Sequence, residues 1–187
     1  LDTSAKGQAW YWIGWSAFEI KNYKEAAPFL KAAREFESAK KGNDADKDQF
    51  AEKAGIRVLL CQYYLEDTTE TAKEVERYSK EGKTKVPPEI LRWLGGKFNE
   101  GGSHESAVKY LTMLTQREEA TPDDFLKLGK SQFELGNYKQ AVNTYQTYLK
   151  SVKLPVPRAT GLLSLAKAQI GLVSLDDAQR SVDEALT

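Results

Sequence analysis

The sequence predicts an all-α solenoid built from five helical hairpins, and two observations carry that prediction. One is a stretch of helical periodicity, Leu128 to Lys150. Phe125, Leu128, Gly129 and Gln132 share one helix face at spacings of three and four, and Ala141, Tyr145 and Tyr148 share another. Such spacing is that of amphipathic helices, not the alternation of a strand. Gly136-Asn137 between them can take the left-handed conformation that ends a helix and turns the chain. The second observation is recurrence. One hairpin cannot bury its own apolar face and needs neighbours of the same kind, and the same marks return four more times.

The first hairpin carries Trp10, Ile13, Gly14, Ala17 and Phe18, a turn at Lys21-Asn22-Tyr23, then Ala26, Leu30 and Ala33. The second is a poorer copy: Ile56, Leu59, Leu60, Tyr63 and Tyr64, a turn at Asp67-Thr68-Thr69, then Ala72 and Val75. Here Leu60 stands at the small position of the first helix, and Glu76 at a large apolar one of the second. The third reads Leu91, Leu94, Gly95, Phe98, a Gly101-Gly102 turn, Ala107, Leu111 and Leu114. The fifth follows the Leu128 hairpin with Leu162, Leu165, Ala166, Gln169, Ile170, Ala178, Val182 and Ala185. Gly14 and Ala26, Gly95 and Ala107, and Gly129 and Ala141 are each twelve apart. The hairpin alanines fall at 26, 72, 107, 141 and 178, at intervals of 46, 35, 34 and 37. The long first interval places an insertion loop at 40–48, a polar, charge-dense run containing Gly42. The expected units are 7–40, 53–86, 88–121, 122–155 and 159–187 of one repeat domain, 1–187. Pro87, Pro88, Pro122, Pro155 and Pro157 fall between hairpins, where helices stop or start. Pro28 is expected in the first turn of its helix, where proline costs little.

Composition narrows the function classes. Lysine and arginine total 27 and balance 27 acidic residues, so a dedicated polyanion or nucleic-acid binder, which needs a basic excess, is disfavoured. No apolar run approaches the ~20 residues of a membrane span. One cysteine, Cys61, permits no internal disulfide; that suits a reducing cytoplasm, and a disulfide-free periplasmic protein has the same composition. The chain begins at Leu1 and ends within a helical pattern at Thr187, so it reads as part of a longer protein. No catalytic constellation emerges, and no cofactor is expected. His104 is the single histidine and sits in a turn, and one His with one Cys cannot build a metal cluster. Gly95-Gly96-Lys97-Phe98 lacks the leading glycine and the Ser/Thr of a phosphate loop. Asp123-Asp124 after Pro122 reads as N-terminal helix charge that suits the helix dipole.

The marks resemble those of the tetratricopeptide repeat, a 34-residue helix–turn–helix with W-x2-L-G-x2-Y, then A-x3-F-x2-A, then P. The first unit reads Trp10-x2-Ile13-Gly14, then Ala26-x3-Leu30-x2-Ala33, and the fourth reads Phe125-x2-Leu128-Gly129, then Ala141-x3-Tyr145-x2-Tyr148. The resemblance implies a right-handed superhelical solenoid whose concave face is lined by the first helix of each hairpin and holds a peptide or a helix of a partner protein. Carried over position by position, the groove residues are Tyr11, Trp15 and Phe18, then Arg57 and Tyr64, then Arg92, Lys130, Phe133 and Lys167. Other mapped positions are Gln8, Trp12, Glu19, Val58, Cys61, Leu65, Glu89, Trp93, Asn99, Leu126, Lys127, Glu134, Thr160, Leu163, Ser164 and Ile170. Aromatic and arginine side chains are the usual interface anchors. The expected ligand is therefore a peptide with apolar anchors and acidic groups, and alanine at Trp15 and Arg92 together should abolish its binding without loss of helicity. The Lys–Asn pair with which some of these repeats clamp a C-terminal carboxylate is missing. Two other readings stand beside the groove. The tryptophans of the first helix can pack on a preceding repeat or on a second copy in a homodimer through the terminal helices. The whole array can be a structural spacer or oligomerisation module with an empty groove.

Overall fold

The computed structural model describes residues 5–39, 45–81 and 86–187 and is all α-helical there. Ten helices follow one another: α1 (Lys6–Glu19), α2 (Tyr23–Ala39), α3 (Ala45–Tyr64), α4 (Thr68–Glu81), α5 (Pro88–Glu100), α6 (His104–Thr115), α7 (Pro122–Glu134), α8 (Tyr138–Ser151), α9 (Pro155–Gly171) and α10 (Leu175–Ala185). They pair as five hairpins, which gives an all-α helical-repeat solenoid fold. The hairpins gather in two compact units, 1–86 with α1–α4 and 87–187 with α5–α10.

All five hairpins turn by one device. A single residue takes positive φ: Lys21 at 62°, Glu66 at 55°, Gly102 at 75°, Gly136 at 74° and Val173 at 60°. The next N–H then reaches back five residues, Asn22 to Ala17 O, Asp67 to Gln62 O, Ser103 to Phe98 O, Asn137 to Gln132 O and Ser174 to Gln169 O, at 2.9–3.1 Å. These bonds satisfy carbonyls that a helix end leaves free. The same residue's carbonyl accepts from the N–H four further on, at Ala26, Thr71, Ala107, Ala141 and Ala178.

That register corrects the second hairpin. The counterpart of Ala26 is Thr71, fully buried, not Ala72, which is half-buried. Leu59, Thr71 and Val75 then fill the places first given to Leu60, Ala72 and Glu76, and all three are buried. The poorer copy is thus a regular hairpin read one residue out of step. Helix starts also differ. Of the expected loop at 40–48, residues 40–44 lie outside the described residues, and 45–48 open α3. Pro155 and Pro157 lie in the first turn of α9, not before it, since proline's fixed φ and missing N–H fit a first turn. Pro28 is the sixth residue of α2 rather than a first-turn residue. Its ring removes one helical hydrogen bond, and its side chain is exposed.

Small residues bring the two helices of a hairpin together. A Cβ on Gly14 would lie 2.7 Å from Leu30 Cγ and 3.0 Å from the Leu30 backbone nitrogen. A Cβ on Gly129 would lie 2.5 Å from the Tyr145 ring. Each glycine therefore receives the large residue four beyond the hairpin alanine, not the alanine itself. In the first unit the core joins Tyr11, Ala26, Leu30, Val58 and Cys61. In the second, one core patch joins Ala107, Leu111 and Leu128, and another joins Ala141, Tyr145, Leu165 and Ala168.

Candidate functional site

The expected groove residues separate into two sets according to where helical geometry points them. Tyr11 and Arg92 occupy the same repeat position, and both are used inside their own unit. Tyr11 is 4% exposed and packs edge-on against Phe50 at 5.3 Å. Arg57 lies over the Tyr11 ring at 5.6 Å and donates to Lys53 O at 3.2 Å. Arg92 spans from α5 to α7, where Nε and Nη2 each donate at 3.0 Å to the two oxygens of the fully buried Asp124 carboxylate. Its Nη2 also reaches Glu119 O at 2.9 Å. Asp124 further accepts from the Thr121 N–H and hydroxyl at 2.8 and 2.9 Å. Burial pushes the Asp124 carboxyl up, but the Arg92 and Thr121 hydrogen bonds and the Arg92 charge outweigh it, and the group titrates below the usual carboxylate range. Asp123-Asp124 is thus more than dipole charge. Removing Arg92 would leave a buried carboxylate short of its cation, so the double substitution at Trp15 and Arg92 tests packing as well as binding.

The remaining aromatic groove positions of the first unit stay partly open. Trp12 is 52% exposed and meets Trp15 edge-on at 5.3 Å. Tyr64, half-exposed, stacks on Tyr23 at 4.7 Å, and Phe18 leans on both at 5.4 and 6.3 Å. Cys61 lies in the core beneath, and burial pushes its thiol up to about 12. At neutral pH it is a protonated thiol with no nucleophilic character.

In the second unit Lys130, Phe133 and Lys167 come together in one cleft of about 410 Å³. Leu126, Phe133 and Tyr145 give its apolar lining, and Asn99, Lys127, Glu134, Thr160 and Ser164 complete it. Each helix places its residues on this side by period: Lys127, Lys130 and Glu134 recur at three and four along α7, and Thr160, Ser164 and Lys167 along α9. Lys127 is held by Asp123 at 2.7 Å. Among the described residues neither Lys130 nor Lys167 has an ion-pair partner, and both are exposed. Asn99 is committed below, donating to Lys127 O at 3.1 Å and Ser131 Oγ at 2.7 Å. Burial, with the Glu134 charge, pushes the Tyr145 phenol up to about 12 against a hydrogen bond with Ser164, so it stays neutral. Tyr145 is the lining residue that the sequence did not suggest. It reads as a helix-packing residue of α8, and it borders the cleft from the core with only 4% of its surface exposed. Among the described residues no three His, Cys, Asp or Glu side chains are grouped to hold a metal ion, and no helix is long and apolar enough to cross a membrane.

A hairpin with a small residue in its first helix, a left-handed turn and a small residue early in its second defines a class of helical-repeat protein. Two segments, 3–42 and 125–152, match family models described as Tetratricopeptide repeat. These two segments are tetratricopeptide repeats by that match. Solved structures agree on the fold. MamA AMB-1, in a P212121 crystal form, is similar at 14% identity over 97% of this chain and 91% of that chain, with a TM-score of 0.58. MamA MSR-1, in a C2 form, is similar at 15% identity over 97% and 95%, with a TM-score of 0.52. No curated protein sequence matches the chain.

Proposed function

We propose that the chain is a non-catalytic protein-interaction module and that its second unit takes an acidic peptide segment, extended or helical, in the α7–α9 cleft. Tetratricopeptide repeats are generally protein–protein interaction modules. The observation that carries the finer reading is the pairing of two uncommitted cations, Lys130 and Lys167, with an apolar lining of Leu126, Phe133 and Tyr145. Carboxylates of the partner meet the lysines, which sets register and speeds encounter. An aliphatic or aromatic side chain fills the lining and supplies most of the affinity. Glu134 on the rim disfavours a second acidic group on its side. In the first unit the half-open Trp15, Phe18 and Tyr64 form an aromatic surface suited to apolar anchors of a protein partner.

Selection from a random-peptide display library tests this, with counter-selection against a variant carrying K130E and K167E. Enriched peptides should combine Asp or Glu with one large apolar residue and should bind the variant at least about tenfold more weakly. Recovered peptides without acidic enrichment, or with equal affinity for the variant, would remove the cleft from consideration.

A further inference from the structure

The α7–α9 cleft does not end at Leu126. Leu126 and Thr160 also border a second hollow, of about 640 Å³, that continues the cleft toward the start of both helices. Tyr148, Val152, Leu154 and Pro157 give this hollow an apolar wall. It lies where α7, α8 and α9 meet, between the fourth and fifth hairpins, and no residue near either end of the chain lines it. The wall is braced. The Tyr148 hydroxyl donates to Pro157 O at 2.9 Å, and Arg158 Nη1 donates to Leu149 O at 3.2 Å. Leu154 stands on the rim, 69% exposed.

The two hollows form one trough whose chemistry changes along its length. Lys130 and Lys167 stand toward the ends of α7 and α9, and the apolar wall stands toward their starts. Asp123 on the apolar rim is held by Lys127. Asp123 to Lys130 on α7, and Thr160 to Lys167 on α9, are each seven residues apart, about two helical turns or roughly 10 Å. The hydroxyl and amide donors along the trough are already spent. Thr160 Oγ1 donates to Val156 O and Ser164 Oγ to Thr160 O, at 3.1 and 2.9 Å. Ser151 Oγ donates to Tyr148 O at 2.8 Å, and Asn99 is committed below. An extended peptide would bring backbone carbonyls to these groups and gain no hydrogen bond from them. A helix satisfies its own backbone and needs none.

We infer that the segment taken by this trough is an amphipathic helix of a partner protein, lying antiparallel to α7 and α9. An acidic residue in its first turn meets Lys130 and Lys167, and a large apolar residue seven positions later fills the Leu154 hollow. This rests on the reading of the α7–α9 cleft as an acidic-peptide site, and gives that peptide a form, a direction and a second anchor. A helix beside α7 and α9 rises at their rate, so seven of its residues span the two turns between the lysines and the hollow. Anchors at i, i+3 and i+7 share one helix face, and the middle one meets Leu126. Charge sets the direction. A carboxylate is best placed at a helix N-terminus, and the lysines stand toward the C-terminal ends of α7 and α9, so the helix dipoles oppose.

Fluorescence anisotropy on the 187-residue chain, with alanine-based helical peptides of about 16 residues, tests it. The reference peptide carries Glu at i and Leu at i+3 and i+7. Three others carry Ala at i+7, the same anchors in reverse order, or a helix-breaking Pro at i+5. The proteins are wild type, K130E/K167E and L154S. Leu154 is exposed and is the N-cap residue of α9, a place that suits serine, so L154S keeps the fold, which circular dichroism verifies. The reference peptide should bind wild type and bind K130E/K167E at least about tenfold more weakly. Ala at i+7 should cost about tenfold against wild type, the scale of one buried leucine, and less than about twofold against L154S. The reversed and Pro peptides should each bind wild type at least about tenfold more weakly than the reference. An i+7 Ala that costs nothing, or costs as much against L154S, overturns the inference while the lysine dependence keeps the cleft reading. Equal binding of the reversed or the Pro peptide overturns the direction or the helical form. A reference peptide that does not bind wild type, or that binds K130E/K167E equally, also overturns the inference, and the library selection then judges the cleft by itself.

Discussion

Val173 holds a β-branched side chain at φ 60°, a conformation its exposed position does nothing to repay. The left-handed region costs an L-residue about 1–2 kcal/mol, and glycine escapes that cost. Val173→Gly should therefore raise stability by about 1 kcal/mol, measured as an increase in Tm, and no increase would show that the turn is relaxed. Arg92 and Asp124 make a sharper case. Arg92→Ala should cost about 2–3 kcal/mol, the scale of hydrogen bonds to a charged group, read from urea unfolding. The Asp124 pKa is lowered on folding. Its contribution is then present in full above the ordinary aspartate value of about 3.9 and fades as pH falls through the lower folded one. Asp124→Asn should flatten the acid limb of stability against pH, and an unchanged limb would contradict the pairing. Neither partner was readable as such. Arg92 falls on a groove position and Asp124 on a helix start, and thirty-two residues separate them. A sequence pattern reports which face a residue lies on, not which neighbour its side chain meets.

Helix pairs are where small residues matter, and two glycines of helix interiors should respond oppositely to alanine. At Gly14 the added methyl meets Leu30 Cγ and backbone nitrogen, so the two helices must part. Gly14→Ala should destabilise by about 1–3 kcal/mol, as overpacking does. At Gly96 in α5 a Cβ meets nothing within 4 Å. Gly96→Ala should stabilise by about 0.5–1 kcal/mol through helix propensity alone. Thermal unfolding of the two variants checks both signs, and a shared sign would defeat the steric account. Hairpin marks twelve residues apart were visible in sequence because the α1–α2 type of contact is local. The second hairpin was read one residue out of step because Ala72 looks more like the small mark than Thr71 does. A threonine hydroxyl can bond back to its own helix, as Thr71 Oγ1 does to Asp67 O at 2.7 Å, and so be buried without cost.

At the scale of the molecule, the hairpins fall into two compact units, and 87–187 holds core patches of its own. A fragment of residues 87–187 should keep helical circular dichroism and unfold cooperatively in urea. Loss of cooperativity would mean that its hairpins depend on the rest of the array. What sequence alone determined is the repeat: all-helical composition, five hairpins, the turns between them, and the Lys130–Phe133–Lys167 face. Each rests on interactions within about forty residues, where period and spacing fix geometry. What only tertiary structure decided is the use of each position. The stacking of successive hairpins turned Tyr11 and Arg92 inward to packing. It left Lys130 and Lys167 uncommitted in one cleft with Tyr145. Stacking joins side chains from separate helices, and the side chain that fills a given gap depends on the approach of two backbones, which periodicity does not encode.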